Sequence, residues 1–267
     1  MNIKSHWTES QIILALDLYS ITPYSKISPK NPEIIDLANL LGRTPGAVSF
    51  KLSNLAACDK KGQTLRHKGS SHGSKLDALV WNQYSDGEEL DIERLNRDAD
   101  KIKQSFLKDK SASYTKGNSV DIESFTSSSD QERFYLSKVR LKQSLFRKAV
   151  LANFDCRCPF SNCAIAGLID AAHILPWNDH PEARMKISNG LALNKLIHAA
   201  FDKNMLGINP DGQIIISSLL RNAIAGKSCQ LFFSQINNKR INFSKLRCKP
   251  NQDYLHERFK SFMEAQK

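Results

Sequence analysis

Asp170-Ala-Ala-His173, Asn189-Gly-Leu-Ala-Leu193 and His198-Ala-Ala-Phe-Asp202 are the segments that decide the fold of this 267-residue chain. The first segment lies near the end of a short apolar run that stops before Pro176, and such a pattern is typical of the end of a strand. Asn-Gly in the second is a turn signal. In the third, His198 and Asp202 stand four residues apart, so that a helix would place both on one face. The pattern predicts a strand–turn–helix unit that gathers His173, His198 and Asp202.

These side chains suit the hydrolysis of a phosphodiester bond. That reaction needs a base that deprotonates water and a cation that stabilises the charge developing on the phosphate and the leaving oxygen. A histidine at a strand end and a His/Asp pair on a helix offer those two functions. Each residue alone has an ordinary explanation as a packed histidine or a turn asparagine. Their combination within one unit favours the functional interpretation.

Residues 146–216 resemble the HNH (ββα-metal) domains of bacterial restriction-type endonucleases. The positions that correspond to the family's motif read Cys158-Pro-Phe-Ser161-Asn162, Asp170-Ala-Ala-His173-Ile-Leu-Pro-Trp177, Asn189-Gly-Leu-Ala-Leu193 and His198-Ala-Ala-Phe-Asp202. The resemblance implies His173 as general base and Asn189 as the residue that braces the base-carrying loop. It implies His198 as a metal ligand, and Asp202 matches the position where colicin-type nucleases place a further ligand. It also implies double-stranded DNA as the substrate.

Two departures from that family concern the metal. Many HNH enzymes have an Asp or His ligand directly before the base, where this chain has Ala172. Asp170 lies two residues earlier and is either a ligand, direct or through water, or a brace that holds another group. The second departure concerns zinc. Cys156, Cys158 and Cys163 do not form the two Cys-x-x-Cys pairs of a structural zinc site, so a four-ligand zinc site is not expected.

The predicted cofactor is one divalent metal ion. Its mixed nitrogen and oxygen ligands favour Mg²⁺ or Mn²⁺ and leave Zn²⁺ and Ni²⁺ open.

The composition favours a polyanionic partner in a reducing compartment. Lys and Arg outnumber Asp and Glu by 38 to 27, a formal net charge of +11. Six scattered cysteines fit reduced thiols in a cytoplasm better than a disulfide framework. The chain has no apolar run of membrane-spanning length and no signal-peptide apolar region, so no membrane partner is expected. A homodimer remains open.

Residues 1–58 are predicted to form a helical, helix-turn-helix-like domain that reads DNA. Thr8-Glu-Ser-Gln11 is a capping box, Asn31-Pro32 begins a second helix that ends at Gly42, and Thr44-Pro45 begins a third. Similar segments precede HNH domains in restriction-like bacterial proteins. The polar residues Ser49, Lys51, Ser53 and Asn54 are expected largely on the outer side of the third helix. The candidate DNA contacts here are Arg43, Lys51 and Asn54, and the alternative is a helical packing or dimerisation domain.

The remainder is predicted as a helical connector with a Ser-rich linker at 59–130 and an HNH nuclease domain with a C-terminal helix at 131–267. The overall class is α+β. Arg140, Arg147 and Arg184 are further candidate DNA contacts. The predicted function is a metal-dependent DNA endonuclease of restriction or defence. A non-specific or structure-selective nuclease of phage or toxin type, and a catalytically impaired DNA-binding protein, are the alternatives.

Overall fold

A computed structural model describes residues 6–59, 74–112, 128–222 and 226–267, without the side chains of 109–112, 128–136 and 138. The chain divides into two compact units. The N-terminal unit comprises Met1–Cys58 and Gly69–Lys148, and Ala149–Lys267 makes up the main part of the C-terminal unit. Residues 60–73 and 113–127 of the predicted connector and Ser-rich linker lie outside the described residues. None of the described helices has the length and apolar character needed to cross a membrane.

The N-terminal unit is helical. Its helices are α1 (Glu9–Ile21), α2 (Pro32–Leu41), α3 (Pro45–Cys58), α4 (Lys75–Gln83), α5 (Ile92–Ala112) and most of α6 (Ser128–Asn153). Thr8 and Gln11 form the predicted capping box of α1. Asn31 caps α2, and Gly42 ends it with a left-handed φ of 63°. The three predicted helices of residues 1–58 are therefore present, with a short turn between α2 and α3.

The connector helices α4 and α5 belong to this N-terminal unit. Helix α1 is buried along almost its whole length because α2, α3, α4 and α5 all pack against it. Its buried Asp17 accepts a hydrogen bond from Asn96 of α5 at 3.1 Å and pairs with Lys103 of α5 at 3.0 Å. The compact unit therefore extends well beyond residue 58.

The prediction that Ser49, Lys51 and Asn54 lie on the outer side of α3 is wrong. Lys51 and Asn54 are only 5% and 7% exposed, and Ser49 is also buried. The ammonium group of Lys51 pairs with both carboxylate oxygens of Asp77 on α4, at 2.7 and 2.9 Å. Because α3 packs against α1, α2 and α4, its polar positions face neighbouring helices rather than solvent. Lys51 and Asn54 are therefore removed from the candidate DNA contacts.

Arg43 is also engaged within the N-terminal unit. Its guanidinium donates to the side-chain oxygen of Gln11 at 2.7 Å and to the backbone oxygen of His6 at 3.0 Å. It also lies over the ring of Trp7, at 4.2 Å from the centroid. These contacts fasten the start of α1 to the turn after α2, which gives Arg43 a structural role.

We expect Lys51→Met to destabilise the N-terminal unit by about 3–5 kcal/mol, because it leaves the buried Asp77 carboxylate without its counter-charge. Adding Asp77→Leu should recover at least half of that loss, since no unpaired charge then remains buried. Urea unfolding followed by circular dichroism measures both. The control is Lys30→Met at an exposed position. Equal stability of Lys51→Met and wild type would contradict the pairing.

The C-terminal unit contains the predicted ββα arrangement. Strands β1 (Ile169–His173) and β2 (Gly190–Asn194) pair antiparallel, with His173 opposite Gly190, and α7 (Lys195–Asp202) follows directly. A hairpin of β3 (Leu206–Ile208) and β4 (Ile214–Ile216) comes next. Helices α8 (Ser218–Asn222), α9 (Lys227–Ile236) and α10 (Gln252–Glu264) complete the unit.

Helix α10 docks closely against β3. Its buried face carries Leu255 and Phe262, and a Cβ atom on Gly207 of β3 would overlap the Phe262 ring. Arg258 lies three residues after Leu255 and four before Phe262, hence on the same side of the helix. Docking of α10 therefore turns Arg258 toward the ββα unit.

Candidate active site

Strand β1 and helix α7 bring the predicted site residues together. His173 is the last residue of β1, and Asp170 lies three residues before it. His198 and Asp202 are one turn apart on α7. The register of α7 is set at its first turn, because the Asn194 side chain accepts a hydrogen bond from the backbone N–H of Ile197 at 2.9 Å. Local capping thus defines the residue at which α7 begins.

The imidazole of His198 lies between two carboxylates. Its Nε2 atom is 3.3 Å from Oδ2 of Asp202, and its Nδ1 atom is 3.6 Å from Oδ2 of Asp170. The two carboxylates therefore address opposite nitrogens of one ring. Asp202 lines the same cleft as His198, whereas Asp170 does not.

The His198–Asp202 pair fits a single divalent cation. Two donor atoms about 2.1 Å from one cation lie about 3.0 Å apart at right angles and about 3.4 Å apart at a tetrahedral angle. The 3.3 Å between Nε2 and Oδ2 falls within this range. In the described part of the chain, no three His, Cys, Asp or Glu side chains form a preformed ligand group. A site with two protein ligands would complete its coordination with water or substrate oxygens, as Mg²⁺ sites commonly do.

His173 is held in a defined tautomer. Its Nε2 atom is 3.1 Å from the backbone oxygen of Arg184. A carbonyl only accepts, so Nε2 carries the hydrogen and the ring's lone pair is on Nδ1. Burial lowers the pKa of His173 below its ordinary value, and nearby His198 acts in the same direction, against the opposing effect of the Arg184 carbonyl. The ring is therefore neutral at pH 7 and able to accept a proton.

Asn189 sits at the centre of the loop that follows His173. Its side chain is fully buried. Its Oδ1 atom accepts from the N–H of Leu175 at 2.8 Å, and its Nδ2 atom donates to the carbonyls of Leu175 and Ala183, each at 3.2 Å. The backbone oxygen of Asn189 also accepts from Ile174 at 2.8 Å. These bonds tie the residues after His173 to the chain entering β2, the position that a bracing residue requires.

Arg184 serves the same loop through its side chain. Its Nε atom donates to the carbonyl of Trp177 at 2.6 Å, and its Nη2 atom donates to that of Asn178 at 3.3 Å. The Trp177 ring packs edge-on to His173, with 5.4 Å between ring centroids. Arg184 therefore positions His173 in two ways. Its backbone carbonyl accepts a hydrogen bond from the His173 ring, and its side chain stabilises the loop that follows β1. Its predicted contact with DNA stays a prediction.

The site opens as a cleft of about 380 Å³, with a lining that includes His173, Trp177, His198, Asp202 and Arg258. Arg258 was missing from the sequence-based residue set. It comes from α10, 56 residues after Asp202, and no local motif marks it. Its guanidinium donates to the backbone oxygen of Phe201 at 2.5 Å and lies over the Phe201 ring, 4.7 Å from the centroid. The cleft thus brings the positively charged Arg258 side chain of α10 together with His173, His198 and Asp202.

The segment that contains His173, Asn189, His198 and Asp202 is similar in sequence to a known family. Residues 158–209 match the HNH endonuclease family. No curated protein is similar enough to the chain to match it. The matched HNH segment begins at Cys158 and extends through β1, β2, α7 and β3. The C-terminal unit therefore contains a segment that matches an HNH endonuclease domain, which supports nuclease activity. Arg258 lies beyond the matched residues.

The remaining candidate contacts, Arg140 and Arg147, lie on α6. Arg140 is exposed and Arg147 is half-buried. Lys142, between them, pairs with Glu93 of α5 at 2.7 Å. The described part of α6 thus presents cations to solvent, but one of them is already paired within the N-terminal unit.

Proposed function

We propose that this protein is a metal-dependent endonuclease that hydrolyses phosphodiester bonds in double-stranded DNA. The observation that carries the proposal is the shared cleft, in which a neutral histidine base and a His/Asp cation-binding pair face the same space. A water molecule between them would meet both a proton acceptor and a Lewis acid.

In the proposed reaction His173 Nδ1 removes a proton from water, and the water oxygen attacks the phosphorus atom. The bond from phosphorus to the leaving oxygen then breaks. His198 and Asp202 would hold the cation. When bound, a divalent cation would neutralise charge on the phosphate and on the leaving oxygen. Asn189 and Arg184 act through His173 by fixing the loop and the tautomer, and are positioning residues.

Of the two roles that Asp170 could have, we propose that it is a brace. Asp170 faces Nδ1 of His198, while Asp202 faces Nε2, the nitrogen proposed to bind the cation. A carboxylate on the second nitrogen of a metal-binding imidazole fixes its tautomer and raises its basicity. We therefore assign Asp170 to the orientation of His198 rather than to direct binding of the ion.

We expect Asp170→Asn to weaken Mn²⁺ binding by about 10–100-fold without removing it, because the amide is a poorer acceptor for the His198 N–H. Calorimetric titration of the purified protein with Mn²⁺ gives the dissociation constant. Asp211→Asn, at an exposed position in the β3–β4 turn, is the control. Complete loss of binding would instead make Asp170 a ligand, and unchanged binding would remove it from the site.

The N-terminal unit is proposed to position DNA for the HNH domain. The buried Lys51 and Asn54 cannot read bases, and the side chains that would contact DNA are exposed cations such as Arg140. Contacts of this kind hold phosphates and set register without reading sequence. A dimerisation domain is the alternative for this unit.

We expect Arg140→Gln to weaken DNA binding uniformly across sequences and to reduce the slope of log K against log salt by about one. Fluorescence anisotropy with labelled duplexes at several salt concentrations measures this. Lys30→Gln removes the same charge from another exposed position of the unit and serves as control. An unchanged slope for Arg140→Gln would place DNA elsewhere.

Restriction or another defence against foreign DNA is the proposed biological role. It is tested by incubating the protein with unmodified genomic DNA and with methylated, hydroxymethylated or phosphorothioated DNA, and then sequencing the ends. A defence enzyme should produce ends that cluster at defined sites or on one modified substrate. Ends spread evenly over every substrate would favour the non-specific nuclease.

One observation favours a different class of function. Ala172, at the position before the base where many HNH enzymes place a ligand, is fully buried and offers no donor to a metal. A DNA-binding protein that has lost catalysis would have this feature. Plasmid DNA incubated with Mg²⁺ or Mn²⁺ distinguishes the two: the endonuclease should give nicked and linear product that EDTA abolishes, whereas the binder should only shift the band.

A further inference from the structure

We propose that Arg258 is the residue that binds the scissile phosphate in the cleft. The inference rests on the proposed nuclease function and adds to it a residue from outside the matched HNH segment. Helix α10 would then be part of the active site, although it begins 50 residues after the end of α7.

The position of Arg258 is the first argument. It lines the cleft together with His173, His198 and Asp202. A phosphate whose phosphorus is attacked by water from the His173 side must lie in this space. Among the described residues that line the cleft, only Arg258 carries a permanent positive charge.

The way Arg258 is held is the second argument. The hydrogen bond to the Phe201 carbonyl uses one of its five N–H donors, and the Phe201 ring lies beneath its plane. Leu255 and Phe262, which flank it on α10, are buried and anchor the helix. The guanidinium is therefore fixed before substrate arrives, so little conformational entropy is lost on binding.

The chemistry of the guanidinium is the third argument. Its planar fork matches two phosphate oxygens, which a lysine ammonium cannot do in the same way. A preorganised donor aimed at developing charge typically contributes about 10²–10³-fold to a rate. A purely structural arginine would support Phe201 and α7 but would make no contact with phosphate.

Binding without cleavage gives the sharpest test, in the full-length chain carrying His173→Ala. Adding Arg258→Gln should lower the affinity for a duplex by about tenfold and reduce the salt slope by about one. Adding Lys260→Gln, at an exposed position of the same helix, should change affinity less than twofold. Equal effects of the two changes, or no effect of Arg258→Gln, would overturn the proposal.

Cleavage by the otherwise wild-type chain gives the second readout. Arg258→Gln should reduce the single-turnover rate by about 10²–10³-fold. Arg258→Lys keeps the positive charge and should disturb the fold less. Its single-turnover rate should still fall at least tenfold, because lysine lacks the planar guanidinium that binds two phosphate oxygens. Wild-type rates for Arg258→Lys would overturn the proposal. If wild-type protein itself cuts no DNA, the proposed function fails, while the binding comparison still decides whether Arg258 contacts phosphate.

Discussion

Replacing His173 with alanine is expected to lower the DNA cleavage rate by about 10²–10⁴-fold while leaving DNA affinity nearly unchanged. The imidazole is proposed to take the proton from the attacking water, and alanine offers no acceptor in its place. DNA affinity should persist because it depends mainly on phosphate contacts made by cationic side chains. Single-turnover cleavage and equilibrium binding of the same duplex measure the two effects separately.

His256→Ala is the matched control for this change, since His256 is an exposed histidine of α10 in the same unit. It should cut at the wild-type rate. If His173→Ala also cuts at the wild-type rate, the assignment of the base is wrong. A loss of DNA binding equal to the loss of cleavage would instead indicate a disturbed fold, because His173 also bonds the Arg184 carbonyl.

The second large effect is expected when the cation-binding pair is removed. His198→Ala and Asp202→Ala should each weaken Mn²⁺ binding by at least about 10²-fold, more than a change to a supporting residue such as Asp170. Cleavage should fall to background for both, as it should for wild-type protein in EDTA, because charge on the leaving oxygen is then not neutralised. Calorimetry gives the affinities, and a cleavage assay over a range of Mn²⁺ concentrations gives the rates.

Asp211→Ala and His256→Ala remove the same side-chain types from exposed positions of the C-terminal unit and should bind Mn²⁺ as wild type does. Excess Mn²⁺ should partly restore cleavage to Asp202→Ala, since one ligand remains. Unchanged affinity in His198→Ala would place the ion elsewhere and would break the link between α7 and catalysis.

The ββα unit could be predicted from the sequence because its signals are local. Pro176 and the Asn-Gly turn bound the strands, and the spacing of His198 and Asp202 is that of one helical turn. The caps at Thr8 and Asn31 made the N-terminal helices predictable for the same reason.

The prediction failed where a residue depends on a distant partner. The positive charge of Lys51 is typical of a DNA contact. Its side chain is buried instead, because it pairs with Asp77, which lies 26 residues away in the sequence. Arg258 reaches the cleft because α10 docks on β3. This tertiary contact between distant segments cannot be predicted from a local sequence motif. Asp170 shows an intermediate case: its strand position was evident, but only the structure relates it to the Nδ1 side of His198.

The central claim is that one divalent cation binds between His198 and Asp202 in the cleft that His173 lines. The most direct test is a crystal of the protein soaked in Mn²⁺, with diffraction data collected so that anomalous scattering locates the ion. We expect one strong peak within about 2.3 Å of both His198 Nε2 and Asp202 Oδ2. A cleft without a peak while Mn²⁺ supports cleavage in solution, or a peak bound by other residues, would contradict the account.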